Sequence, residues 1–100
     1  MTSADLTIAD FIPLLDQTFR VSMRDSHPYD LTLVRAYDLG DGRAAGPRRP
    51  FSLIFSNPRK DSYLPQRTYC LEHGKLGVLE IFLVPIGPDE NGMFYEAVFT

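Results

Sequence analysis

The second half of the chain decides the fold class. Four apolar runs stand there: PFSLIFSNP at 50–58, LPQRTYCLEH at 64–73, LGVLEIFLVPIG at 76–87 and MFYEAVF at 93–99. Each run is bounded by proline, glycine or asparagine, the residues that end strands and form turns. This pattern predicts an antiparallel sheet.

Two more strands are predicted in the first half of the chain. Residues 18–24 alternate apolar and polar side chains with a period of two, as a half-buried strand does. Residues 29–37 form the next predicted strand, and the alternation fails at Val34–Tyr37, which indicates either a bulge or a strand buried on both faces.

One short helix is predicted at residues 7–17. Thr7 and Asp10 have the spacing of a capping box, in which the third helical residue bonds back to the N-cap. Apolar residues then recur at helical spacing, and Pro13 restricts the helix to one or two turns. We expect its apolar side to cover one end or face of the sheet.

These elements predict an all-β, mainly antiparallel domain. About six strands would form a small sandwich or a partly open barrel, with the short N-terminal helix packed on it. A chain of 100 residues is too short for two ordinary domains, so we expect one domain over residues 1–100. Residues 38–49 are glycine-rich and lack apolar periodicity, which predicts a flexible loop.

The register of one hairpin, at 66–84, can be predicted from its side chains. A symmetric turn at Gly74-Lys75-Leu76 keeps the apolar residues of both strands on one face, whereas a slip by one residue mixes the two faces. The predicted partners are Leu71 with Leu79, Tyr69 with Ile81, Cys70 with Glu80 and Thr68 with Phe82.

Charge and composition limit the class of function. The net charge is −3, which disfavours a nucleic-acid binder that relies on phosphate attraction. No apolar run approaches the roughly 20 residues needed to span a bilayer, and the N-terminus lacks a signal-peptide pattern. Cys70 is the single cysteine and excludes an internal disulfide. We expect a cytoplasmic protein with no nucleic-acid or membrane partner.

The residues that could carry chemistry do not form a catalytic pattern. Cys70 and His73 lie an odd number of residues apart on a strand, so their side chains point to opposite faces. No metal-ligand spacing and no cofactor motif is present, which leans against an enzyme. The alternative is a small-ligand-binding protein or enzyme that uses Glu72, His73 and Glu80 of the hairpin, provided that a pocket brings them together.

A basic stretch in the middle of the chain predicts a binding surface. Its charges could meet an acidic partner or a phosphate, although a solvated loop that protects a sheet edge would have the same composition. The candidate binding residues are Arg43, Arg48, Arg49, Arg59, Lys60 and Tyr63. We expect the partner to be another protein or a second copy of the chain, and the second copy would pair through the exposed edge of the Phe94–Phe99 strand.

Glu96 lies on an otherwise apolar face of the last strand. Its neighbours on that face are Phe94 and Val98. A carboxylate in such a place needs a partner, for which Arg35 or Arg67 would be sufficient.

The motifs of the chain resemble those of an uncharacterised bacterial family of proteins of about this length. The shared motifs are Phe11–Leu15 (F-x-P-L-L), Phe51–Pro58 (FSLIFSNP), Leu64–His73 (LPQRTYCLEH), Leu76-Gly77, Phe82–Gly87 (FLVPIG) and Tyr95–Phe99 (YEAVF). The resemblance brings no catalytic residue. It implies a structural or interaction role, accessory to the assembly of a phage-tail-like or fibre system. Asp16 departs from the family pattern, which favours glycine there.

Overall fold

Six antiparallel strands form a closed barrel in the computed structural model, which describes residues 6–22, 29–40, 49–59 and 64–99. The strands are β1 Thr18–Val21, β2 Tyr29–Asp38, β3 Phe51–Asn57, β4 Arg67–His73, β5 Gly77–Pro85 and β6 Met93–Phe99. Their order around the barrel is β1-β2-β3-β6-β5-β4, and β4 closes it by pairing with β1. The all-β prediction is confirmed, with the barrel closed.

Closure changes the predicted route to self-association. The last strand, β6, pairs with β3 along its whole length and with β5 at Val84 and Pro85. It therefore lies inside the sheet, and the prediction that it forms an exposed edge is wrong.

The helical segment closes one end of the barrel. Helix α1 spans Ile8–Phe11, and a 3-10 turn at Ile12–Leu14 carries Pro13 at its start. The Asp10 carboxylate accepts a hydrogen bond from the Thr7 N–H at 2.8 Å, as the capping-box spacing predicts. A short helix limited by Pro13 is thus confirmed.

Phe11 is the residue of this helix that packs into the end of the barrel. Its ring centroid lies 6.4 Å from that of Phe19, 5.8 Å from Phe51 and 5.7 Å from Phe99. All four rings are buried in the core. Offset aromatic contacts at such distances add to the burial of apolar area, which is the main stabilising term.

Tyrosine hydroxyls close the opposite end. The buried Tyr95 hydroxyl accepts a hydrogen bond from the Leu64 N–H at 2.9 Å and lies 3.1 Å from the Tyr29 hydroxyl. Tyr69 donates its hydroxyl hydrogen to the Pro65 carbonyl, and burial raises the pKa of Tyr69. The segment before β4 is held over the barrel by these bonds.

The hairpin register and the bulge are both confirmed. The β4–β5 partners include Leu71 with Leu79 and Cys70 with Glu80. The register of β2 on β3 shifts between Leu33 and Arg35. Because of this shift, Leu33 points into the barrel while Arg35 points outward.

Candidate functional site

The basic stretch with the predicted binding residues, which we call the arginine loop, lies mainly outside the described residues. This applies to Arg43, Arg48, Lys60 and Tyr63. The Arg49 Nε donates to the two carboxylate oxygens of Asp38 at 2.7 Å and 2.8 Å. This hydrogen bond holds the pKa of Asp38 below its usual range, and the Gly40 N–H adds to the effect.

The two ends of the 38–49 loop are therefore joined to each other where they meet β2 and β3. The Leu39 N–H donates to the Pro50 carbonyl at 3.0 Å, beside the Asp38–Arg49 pair. Arg59 donates its backbone N–H to the Asn57 side-chain oxygen at 2.9 Å. The interaction surface proposed for these arginines stays a prediction, and the charge of Arg49 is already paired within the chain.

The predicted hairpin residues are only partly brought together. Glu72 and His73 line a shallow groove of about 450 Å³ on the outside of β1, β4 and β5. Thr18 and Arg20 form its other wall. Glu80 pairs with Cys70 along the strands and lies outside this lining.

Both ring nitrogens of His73 hold the hairpin in place. The Lys75 N–H can only donate, so Nδ1 accepts it at 3.0 Å and carries no hydrogen. The other nitrogen, Nε2, then donates to the Gln17 side-chain oxygen at 2.7 Å. The ring also lies 4.7 Å from that of Phe19. These contacts describe a histidine that joins the hairpin turn to the start of β1.

The remaining reactive groups are separated or paired. Cys70 is an exposed free thiol, whereas the His73 ring packs on the core residue Phe19, so the predicted separation of the two is confirmed. The Glu72 carboxylate accepts a hydrogen bond from the Ser22 hydroxyl at 3.1 Å. No group of three or more potential metal ligands occurs within the described ranges.

A surface that the sequence did not indicate lies on the outside of β2, β3 and β6. The strand register places nine outward residues there in three rows, and we call them the outer face. The rows are Tyr37, Ser52 and Val98; Arg35, Ile54 and Glu96; and Thr32, Ser56 and Phe94.

The outer face has apolar flanks on both sides of its central strand. Tyr37 is 46% exposed and Val98 is 52% exposed, although the barrel core is complete without them. The central strand β3 is largely covered, since Ser52, which lies between these two flanks, is 1% exposed and Ile54 in the next row is 8% exposed. The accessible apolar groups of the outer face are therefore on its flanks.

The two charges of the outer face are not paired with each other. Glu96 accepts a hydrogen bond from the Ser52 hydroxyl at 2.8 Å. Its partner is thus a serine and not the arginine, Arg35 or Arg67, that the sequence suggested. Neither Arg35 nor Glu96 forms an ion pair with any residue of the described part of the chain.

The connection between β5 and β6 borders this face. Together with Arg35, Tyr37, Ile54 and Phe94, it encloses a groove of about 440 Å³. The connection is anchored by Gly92, which has a φ of 136° and lies so close to β3 that a Cβ would overlap the Asn57 carbonyl oxygen. The groove wall is therefore a fixed part of the fold.

Comparison with known proteins gives a family match. A family described as a domain of unknown function, DUF6916, matches residues 6–99. No curated protein and no solved structure matches the chain. Among the described residues, no helix has the length and apolar character to cross a membrane.

Proposed function

This chain belongs to the DUF6916 family, and we propose that it is a non-enzymatic protein-interaction module that binds through the outer face. The observation that carries the proposal is the pair of half-exposed apolar flanks, Tyr37 and Val98, on a barrel whose core is already filled. Exposed apolar side chains beside polar groups on one face are typical of a docking surface.

The composition of the outer face supports a protein partner. Tyr37 and Phe94 supply aromatic area, which is enriched in the energetically important centre of interfaces. Arg35 stands beside them, and arginine shares that enrichment. The fixed groove wall means that little ordering entropy would be lost on binding at this side.

The predicted arginine loop adjoins this surface. Asp38, which holds Arg49, directly follows Tyr37 on β2. A partner seated on the outer face would thus lie beside the point at which the loop leaves the barrel. We propose that the loop and the outer face serve one partner, to which the loop adds positive charge.

The alternative, a ligand site or active site at the hairpin, has less support. A general base needs a nitrogen that can accept a proton from substrate, and both nitrogens of His73 are engaged in bonds within the chain. Glu80 does not share the groove of Glu72 and His73. The hairpin contacts support a structural role instead.

The finer form of the proposal is an accessory role in assembling a phage-tail-like or fibre system. Deleting the gene and counting assembled particles by electron microscopy would test it. Normal particle numbers and lengths would contradict that role. They would not contradict binding through the outer face, which the next experiment tests.

Site-specific photo-crosslinking in the native host tests the binding surface. A benzophenone amino acid replaces Tyr37 in one variant and Thr68 in the control, an exposed residue on the outside of β4. We expect a discrete crosslinked product at Tyr37 and none at Thr68. No product at Tyr37, or equal products at both positions, would contradict the assignment of the outer face.

A further inference from the structure

We infer that the partner of the outer face is a second copy of this chain, related by a two-fold axis that runs along β3. The inference rests on the proposed function, because it names the partner of the same surface. The observation behind the inference is the pairing of the strands, which places β2 on one side of β3 and β6 on the other.

The charged row is self-complementary. Arg35 on β2 and Glu96 on β6 stand on either side of Ile54, which lies on β3 between them. A two-fold axis parallel to β3 and above Ile54 exchanges the two sides of the face. It sets Arg35 opposite the second copy's Glu96, and it repeats the same contact in reverse.

Within the described part of one chain this contact is not formed. Neighbouring strands lie about 4.8 Å apart, so Arg35 and Glu96 of one chain are separated by roughly 10 Å at the backbone and project side by side. Facing sheets also lie about 10 Å apart, but there the two side chains point towards each other. The copies would therefore pair two charges that each chain leaves without an ion pair.

The other two rows agree with the same axis. Tyr37 meets the second copy's Val98, which places an aromatic ring on an aliphatic side chain. Thr32 meets the second copy's Phe94, while Ser52, on the axis, stays covered within each chain. No like charges face each other in any row, which is the condition that a self-association surface must satisfy.

The size of the face predicts a weak, reversible dimer. Three strands by seven residues cover roughly 14 by 24 Å. Tight dimers bury about 800 Å² on each partner, which is more than this face provides. We expect association at concentrations from tens to hundreds of micromolar, and weaker association at high salt because two exposed ion pairs contribute.

Sedimentation of the purified chain from about 10 μM to about 1 mM tests the inference. The average mass of the sedimenting species should rise with concentration towards twice the mass of the monomer. Arg35→Glu alone and Glu96→Arg alone each set like charges opposite one another twice per dimer, so each should weaken association at least tenfold. An equimolar mixture of the two variants makes every facing pair opposite in sign again, and association should return.

Two controls separate association from folding. Lys75→Glu makes the same charge change as Arg35→Glu on the hairpin turn and should leave the dimer unaltered. Glu96→Gln keeps the acceptor for Ser52 while removing the charge, and should weaken the dimer severalfold even if Glu96→Arg proves unstable. Circular dichroism confirms that each variant is folded.

Three results would overturn the inference: a wild-type monomer at about 1 mM, association unaltered by the single changes, or a mixture that stays monomeric. A wild-type monomer together with a crosslink from Tyr37 to a different polypeptide would refute the second copy but keep the interaction module. A dimer that forms without any crosslink at Tyr37 would place the contact elsewhere and refute both.

Discussion

Replacing Tyr95 with phenylalanine should destabilise the barrel although no cavity is created. The ring is fully buried, and its hydroxyl receives the Leu64 N–H at 2.9 Å. Leu64 is itself only 4% exposed, so water has little access to that N–H when the hydroxyl is removed. The second bond, to the Tyr29 hydroxyl, joins a half-buried group that can turn to water instead.

The magnitude follows from these two bonds. A buried donor left without an acceptor costs about 1–3 kcal/mol, whereas the loss of a bond whose other partner stays solvated costs less than about 1 kcal/mol. We therefore expect Tyr95→Phe to lower the free energy of unfolding by about 1–3 kcal/mol. In a domain of this size each kcal/mol lowers the melting temperature by about 4–8 °C.

Urea unfolding of Tyr95→Phe beside Tyr37→Phe is the direct measurement. Tyr37 is 46% exposed on the outer face, so the same loss of a hydroxyl there should change stability by less than about 0.5 kcal/mol. Equal slopes of free energy against urea would show that both variants unfold from similar states. If the two midpoints coincide, the buried-donor argument is refuted.

Three further perturbations have a defined sign. Gly92→Ala should destabilise by several kcal/mol, because its Cβ would overlap the Asn57 carbonyl oxygen at a φ of 136°; a thermal midpoint within a degree of wild type would contradict this. Asp16 has a φ of 70°, so Asp16→Gly should raise the free energy of unfolding in urea by up to about 1 kcal/mol, and Asp16→Val should lower it. A valine variant as stable as wild type would show that the backbone is not strained at this position. The lowered pKa of Asp38 adds stability that is present above its unfolded pKa and lost as pH falls through the folded value, so Arg49→Gln should raise the Asp38 pKa in a carboxyl NMR titration; an unmoved titration would show that Arg49 is not the cause.

The parts of the fold that depend on local pattern were predictable. The hairpin register followed from keeping Leu71 and Leu79 on one face, and the failed alternation near Val34 located the bulge. The family resemblance also pointed to a local feature, because it favours glycine at position 16. Asp16 is the one described non-glycine residue that adopts a positive φ. The left-handed turn explains that preference in physical terms.

The parts that depend on distant pairing were not predictable from one sequence. Barrel closure rests on two pairs between β1 and β4, one of which is Arg20 with Glu72, and no periodicity records such a contact. The outer face was missed for the same reason. Phe94, Glu96 and Val98 visibly share one side of β6, but only the β3–β6 pairing shows that Arg35 and Tyr37 lie across from them.

The place of β6 between β3 and β5 has a consequence for synthesis of the chain. Until β6 leaves the ribosome, the nascent sheet has two open edges, at β3 and at β5, and both carry unpaired backbone groups. β6, the sixth of the barrel strands in chain order, is therefore the one that seals the barrel, and the barrel cannot finish folding while only the earlier strands have been synthesised. A released chain that ends before residue 93 would keep both edges open, so we expect it to aggregate.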